Sequence, residues 1–248
     1  MVRVLCVANQ KGGVGKTTTA INLAAGLAKA GSLTLLLDLD PQCNATTGLG
    51  QTPTAAHPLA TGVPLRQGVL PSGVERLDLV PGTRSFRDVE ALTHADPTQV
   101  RRLREHLALG FSAYDFVLID CPPSVGPLTR TALASSTEVL MPIQCEYFAM
   151  EGLTQMIEVI RDVMQNDTHQ LQFGGIVLTM YDHRLELTQE VDEEVRDFFG
   201  EIVFDTAIPR DVAVSEAPSH GRCVLDYAPR ARGSRAYVEL CMEVLDRE

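Results

Sequence analysis

The chain has 248 residues, 45% of them hydrophobic, and 21 lysines and arginines against 32 aspartates and glutamates give a formal charge of −11. A chain of this length buries roughly 70–75% of its unfolded surface and needs no disulfide or metal staple. Its ordinary balance of apolar and charged residues excludes disordered, collagen-like and coiled-coil classes. The acidic total argues against a protein that coats nucleic acid over its whole surface, and leaves room for a local basic patch.

In chain order, a strand over 2–8 leads through a glycine-rich loop into a helix over 16–30, followed by a strand over 33–37. Residues 50–73, with Pro53, Pro58, Pro64 and Pro71 and little periodicity, are expected as a surface excursion rather than a linker between domains. Strands over 77–80, 115–119, 138–143, 175–179 and 202–204 then alternate with helices over 98–109, 128–135, 150–165, 187–199 and 234–245. Short runs of Val, Ile and Leu without polar alternation read as strands buried on both faces. Their alternation with helices predicts an α/β fold, a mostly parallel twisted sheet with helices on both faces, in a single domain over 1–248. No apolar run approaches the ~18 residues of a membrane span, and the start MVRVLCVANQK lacks the regions of a signal peptide. The six cysteines stand apart, with no C-x-x-C, and are expected as reduced, buried thiols of a cytoplasmic protein.

The sharpest local feature is Asn9-Gln10-Lys11-Gly12-Gly13-Val14-Gly15-Lys16-Thr17-Thr18 between the first strand and the first helix. Glycines let a backbone turn its N–H groups around a polyphosphate, and the helix that follows adds the positive end of its dipole. Lys11, Gly12, Gly13, Val14, Gly15, Lys16, Thr17 and Thr18 are therefore expected to bind nucleotide. Lys16 would reach the β- and γ-phosphates, and the Thr17 hydroxyl would ligate Mg²⁺. Lys11 is a second lysine at the loop's entrance, and its repulsion from Lys16 is relieved only by dense negative charge between them.

Two later strands end in carboxylates. Leu37-Asp38-Leu39-Asp40-Pro41-Gln42 places Asp38 and Asp40 two residues apart, pointing one way if the backbone stays extended. Phe116-Val117-Leu118-Ile119-Asp120 ends in an acid suited to holding Mg²⁺ through water. In open α/β sheets these carboxyl ends face the ligand crevice.

Together, Lys11–Thr18, Asp38-Leu-Asp-Pro-Gln and Ile119-Asp-Cys-Pro-Pro-Ser resemble the deviant Walker A P-loop ATPases, and most closely their ParA/Soj partition branch. Asn22-Leu-Ala-Ala, Asn44-Ala-Thr-Thr-Gly-Leu, Leu178-Thr-Met-Tyr-Asp and Ser215-Glu-Ala-Pro-Ser extend the resemblance over nearly the whole chain. It implies ATP hydrolysis with Mg²⁺, slow alone and stimulated by a ParB-like partner, in an ATP-sandwich homodimer bound to non-specific double-stranded DNA of the nucleoid. By the same resemblance Lys11 reaches the partner subunit's nucleotide, and a side chain at Gly12 blocks dimerisation. Asp40 positions the attacking water, Asp38 is a neighbouring site carboxylate with a possible metal role, and Asp120 is the Walker B acid. Met180, Pro209 and Asp211 border adenine, with Asp211 in place of the usual asparagine.

For DNA the resemblance implicates Arg184, whereas a second usual arginine is Ala213 here. Arg222, Arg230, Arg232 and Arg235 face one acid, Asp226, between residues 220 and 237, a local charge of +3. The C-terminal residues lack the cationic amphipathic tail of the membrane-bound MinD branch, so no membrane partner is expected. The alternative is an orphan ParA-like positioning or regulatory ATPase that acts through protein contacts and binds DNA weakly.

Overall fold

The computed structural model describes residues 2–86, 105, 111–146, 149–166 and 171–247. Among them the strands are β1 (Arg3–Val7), β2 (Thr34–Asp38), β3 (Leu70–Pro71), β4 (Leu77–Val80), β5 (Phe116–Asp120), β6 (Glu138–Gln144), β7 (Gln172–Tyr181) and β8 (Val203–Pro209). They form one sheet in the order β3-β4-β2-β5-β1-β6-β7-β8. Every neighbouring pair is parallel except β3 with β4. The helices used below are α1 (Lys16–Lys29), α2 (Asn44–Gly48), α3 (Pro58–Thr61), α4 (Pro127–Ala134), α5 (Ala149–Asn166), α6 (Glu186–Phe199), α7 (Val212–Glu216), α8 (Val224–Tyr227) and α9 (Arg232–Asp246). The helix expected over 98–109 lies outside the described residues, residue 105 aside.

Alternate residues of the central strands feed opposite faces, as the pleat requires. Cys6, Leu35, Leu37, Val117 and Ile119 pack with side chains of α4, α5 and α6, among them Leu128, Met156, Ile160 and Val195. Leu5, Val7, Leu36 and Leu118 pack instead with Leu23 and Leu27 of α1 and Tyr237 and Leu240 of α9. This is the two-sided burial that the continuous apolar runs predict. All six cysteines are buried and unbridged, and no helix among the described residues is long and apolar enough to cross a membrane.

The edges depart from expectation. β7 begins three residues early and contains a register shift beside Gly174 and Gly175. Gly175 has φ +149, and a Cβ there would overlap Phe204, so this irregularity requires glycine. β8 runs to Pro209 although Asp205 and Thr206 break its apolar pattern, because it is the sheet's edge. Their amides donate to the Glu243 carboxylate of α9 at 2.8 Å each instead of to another strand.

Residues 50–73 hold α3, a 3₁₀ turn over Leu65–Gly68 and β3, and they send His57, Leu59 and Leu65 into the interior. His57 Nδ1 accepts from the Leu59 amide at 3.1 Å, and its ring packs at 4.6 Å on Phe86. Its Nε2 is buried without a partner, and burial pulls its pKa down to about 3. A lowered imidazole pKa means the unfolded chain binds the proton more readily. The stability His57 contributes is therefore complete above pH 6.5 and is lost as pH falls toward 3. We expect the protein to lose about 2 kcal/mol between pH 7 and pH 5 through this group. His57→Asn, which keeps a capping oxygen without a titrating ring, should lack that loss in urea melts at the two pH values. Equal pH dependence in both proteins would refute the assignment.

Candidate nucleotide-binding site

The site forms where β1, β2 and β5 end together. In register, Asp120 lies between Val7 of β1 and Asp38 of β2, so the loop leaving β1 passes directly over the carboxylates. That loop enters α1 through Gly15 at φ +87, with no side-chain cap and no acid in the first helical turn. The first-turn amides of α1 are thus left for an anion, with the helix dipole behind them. Gly13 also has φ +77.

The loop is braced from both sides. The Asn9 side chain donates to the Pro142 carbonyl at 2.8 Å and accepts from the Lys11 amide at 3.0 Å. The Thr179 hydroxyl of β7 lies 2.9 Å from the Val14 carbonyl and 3.0 Å from that of Ile143. Behind the loop, Asn22 of α1 donates to the Thr18 carbonyl and accepts from the Val224 amide, at 2.8 and 2.7 Å. Sequence reasoning assigned no role to Asn9, Thr179 or Asn22. Their partners lie up to 202 residues away, beyond any local pattern.

Lys16 is only 6% exposed. Its ammonium donates to the Lys11 carbonyl at 2.8 Å. Burial lowers its pKa, and the negative charges of Asp120 and Asp40 act against that shift. Both carboxylate oxygens of Asp120 are fully buried without a hydrogen bond of ordinary geometry. Burial, with the nearby Asp38 charge, raises its pKa well above the carboxylate range, while the Thr17 hydroxyl and Lys16 pull the other way. An uncommitted buried carboxylate beside a threonine hydroxyl and an open helix N-terminus fits Mg²⁺ in company with a polyphosphate. No group of three or more His, Cys, Asp or Glu able to hold a metal occurs among the described residues. An ion here would draw most of its ligands from nucleotide and water.

The two acids after β2 have separate surroundings. Asp38 accepts from the Thr46 amide and hydroxyl at 2.8 and 2.6 Å on one oxygen, and from the Asp40 amide at 3.1 Å on the other. It pins the turn into α2, and burial raises its pKa to about 6 against the pull of these donors. Thr46 continues the link, accepting from the Gly82 amide. Both oxygens of Asp38 are therefore engaged by protein donors, unlike those of Asp120. Asp40, 5% exposed, uses one oxygen to accept from the Gln42 amide at 2.8 Å, and its other oxygen makes no hydrogen bond among the described residues.

Lys11 stands at the rim, where its ammonium meets Glu146 Oε2 at 3.0 Å and both side chains remain a third or more exposed. At Gly12 a Cβ would touch nothing nearer than the Pro123 Cβ at 4.0 Å. Met180, at φ +52, and Pro209 are brought together as neighbouring strand ends, since Tyr181 pairs with Pro209. Asp211 stands beside them, but its oxygens accept from the Ala213 and Gly233 amides at 2.9 Å each, so its carboxylate caps helices rather than standing free for a base.

The expected DNA-contact residues divide. Arg184 is 78% exposed but paired with Asp182 through two side-chain hydrogen bonds of 2.8 and 2.7 Å. That contact holds the Asp182 carboxyl well below its ordinary pKa. Arg222, Arg230, Arg232 and Arg235 are all exposed and make no ion pair among the described residues. Asp226, the acid in their midst, is engaged by Lys29 at 2.6 Å.

A family model described as AAA domain matches residues 2–173. The chain is 44% identical, over 254 aligned positions, to the chromosome partitioning protein ParA of Caulobacter vibrioides, covering all of this chain and 95% of that one. It is 41% identical to the sporulation initiation inhibitor protein Soj of Bacillus subtilis, over 98% of each. Among solved structures, cobyrinic acid a,c-diamide synthase of Mycobacterium smegmatis with bound ADP and magnesium superposes with a TM-score of 0.85 at 33% identity. That match covers 99% of this chain and 94% of that one.

Proposed function

The chain belongs to the ParA/Soj family of partition ATPases, and on that basis we propose an ATP-switched protein whose dimer forms on ATP, holds DNA without sequence preference and lets go on hydrolysis. The observation that carries this reading is the pairing of an uncapped, glycine-turned α1 N-terminus with a buried Lys16 and an uncommitted Asp120. Bound Mg²⁺ supplies charge neutralisation across the phosphates. Lys16 and the first-turn amides would hold the phosphate oxygens, Thr17 and Asp120 would hold the metal, and Asp40 would orient the attacking water with its free oxygen. Positioning and electrostatics of this kind carry most of the rate in phosphoryl transfer.

In this reading Lys11 acts on the partner subunit's nucleotide. Its pair with Glu146 is exposed and worth no more than about 1 kcal/mol, so a polyphosphate in trans readily displaces it. A ParB-like activator would accelerate hydrolysis in the assembled dimer. Arg222, Arg230, Arg232 and Arg235, without an ion pair among the described residues, would carry most of the phosphate contact in place of Arg184 and would hold the dimer on the nucleoid. The alternative, a positioning or regulatory ATPase acting through protein contacts, is favoured by Ala213 and by the Asp182 carboxylate that already occupies Arg184.

Sedimentation and binding to random-sequence duplex DNA, with ATP, ADP or no nucleotide at two salt concentrations, test both readings. We expect an ATP-dependent dimer, DNA binding that falls steeply with salt, and a salt slope reduced by about one for each arginine replaced by alanine. Lys11→Ala should remove the dimer and lower hydrolysis at least about 10²-fold. Gly12→Ala should remove the dimer without lowering the melting temperature, since a Cβ there meets nothing nearer than Pro123 at 4.0 Å. Normal dimerisation and turnover in Lys11→Ala would end the cross-dimer mechanism. Dimerisation without DNA binding would favour the protein-contact alternative.

A further inference from the structure

Asp211 holds two parts of the molecule together that the nucleotide site and the basic face each need. Its Oδ1 accepts from the Ala213 amide and starts α7. Its Oδ2 accepts from the Gly233 amide, in the first turn of α9. Arg232 and Arg235 lie in that same turn, with Arg230 just before it. The contact is close: a Cβ on Gly233 would overlap Val214 of α7 and lie 3.4 Å from the Asp211 Cβ. No side chain of α9's own N-cap, Ala231, satisfies the first-turn amides, so Asp211 acts as a cap supplied from elsewhere in the chain.

The other end of this connection reaches the phosphate loop. Thr179 bonds the Val14 carbonyl, Met180 follows it with a left-handed backbone, and the Tyr181 carbonyl accepts from the Arg210 amide at 3.0 Å, one residue before Asp211. A continuous path therefore runs from the loop through the ends of β7 and β8 to the first turn of α9. The middle of α9 is attached separately, to α1, through Tyr237 and Thr19. The two amides are taken by different oxygens, so an asparagine here would set its donating NH2 against one of them and weaken the double contact.

We propose that Asp211 is a clasp through which the nucleotide-facing ends of β7 and β8 set the position of the arginine-bearing first turn of α9. Nucleotide in the loop tightens the clasp and orders that turn, and with it Arg230, Arg232 and Arg235. The proposal rests on the nucleotide-binding reading above and not on the DNA-binding one.

Amide hydrogen exchange over residues 228–240, with and without MgADP, tests it, with calorimetry confirming that each protein is saturated. In the unaltered protein MgADP should slow exchange of the Gly233–Arg235 amides several-fold. Asp211→Asn should exchange there about tenfold faster without nucleotide and show no slowing with it, while Leu240 keeps its protection. Asp211→Ser, which keeps a hydroxyl to cap α7, serves the same purpose should the asparagine variant fold poorly. Slowing that persists in either variant, or that is absent from the unaltered protein with MgADP bound, would overturn the clasp. Absence of any MgADP binding would instead refute the nucleotide reading and the clasp with it, and calorimetry separates that failure from the others.

Discussion

Replacing Lys16 by glutamine is expected to lower ATP hydrolysis by at least about 10³-fold. Removing one preorganised donor to a developing oxyanion costs about 10²–10³, and Lys16 adds a full charge in a largely water-free setting. The ammonium is buried, donates to the Lys11 carbonyl, and lies near the Asp120 and Asp40 charges. Glutamine keeps most of the side chain's length and packing, so the loss reports charge rather than a cavity. The change also removes a cation that favours ionised Asp120, so nucleotide binding should gain less from Mg²⁺ in the variant than in the unaltered protein. Phosphate release together with calorimetry measures both effects. Turnover within tenfold of the unaltered protein would show that this loop does not hold the reacting phosphates.

Asp120→Asn should lower hydrolysis by about 10²–10³-fold and abolish the part of nucleotide stabilisation that depends on Mg²⁺. For the unaltered protein, Mg²⁺-nucleotide at 100 times its Kd should add about 2.7 kcal/mol to unfolding stability, and chelation should remove much of it. The variant should melt alike with and without Mg²⁺. The pH dependence follows from the raised pKa of Asp120. The folded, nucleotide-free protein prefers this carboxyl protonated, so the stability it contributes is present below about pH 4 and is lost as pH rises through the folded pKa. Asp38, raised to about 6 by burial, acts in the same direction. Mg²⁺ requires ionised Asp120, so its stabilising increment should grow with pH in the unaltered protein and be flat in Asp120→Asn. An Mg²⁺ increment that survives the substitution would remove Asp120 from the metal's surroundings.

Among the described residues, the alternation of the buried strands with the longer helices and the glycine-rich loop between β1 and α1 were legible from local pattern. Doubly buried strands need unbroken apolar runs, and a phosphate cradle needs glycines at fixed spacing before a helix. The same reasoning ended β8 at residue 204, because Asp205 and Thr206 offer no hydrophobic signal. An edge strand needs none when Glu243 supplies the missing acceptors. It expected Asp38 and Asp40 to point one way, since residues two apart on an extended chain point alike. The chain turns immediately after Asp38, where β2 ends, and so gives one acid to Thr46 and leaves the other with a free oxygen.

The sequence alone therefore determined the groups available to this protein: a glycine-rich loop ahead of a helix, two lysines and three acids at the carboxyl edge of a parallel sheet. It did so because each of those features is written in residues close together in the chain. The tertiary structure decided which of those groups are free to act. Asp38 is spent on a turn and Arg184 on Asp182, whereas Asp120 keeps both oxygens and four arginines stay without an ion pair among the described residues. Lys11 rests on Glu146, and Asp211 joins the ends of the sheet to α9. These outcomes depend on hydrogen bonds and ion pairs between residues brought together by the sheet's crossovers, and a polar group's availability is set by what surrounds it after folding, not by its neighbours along the chain.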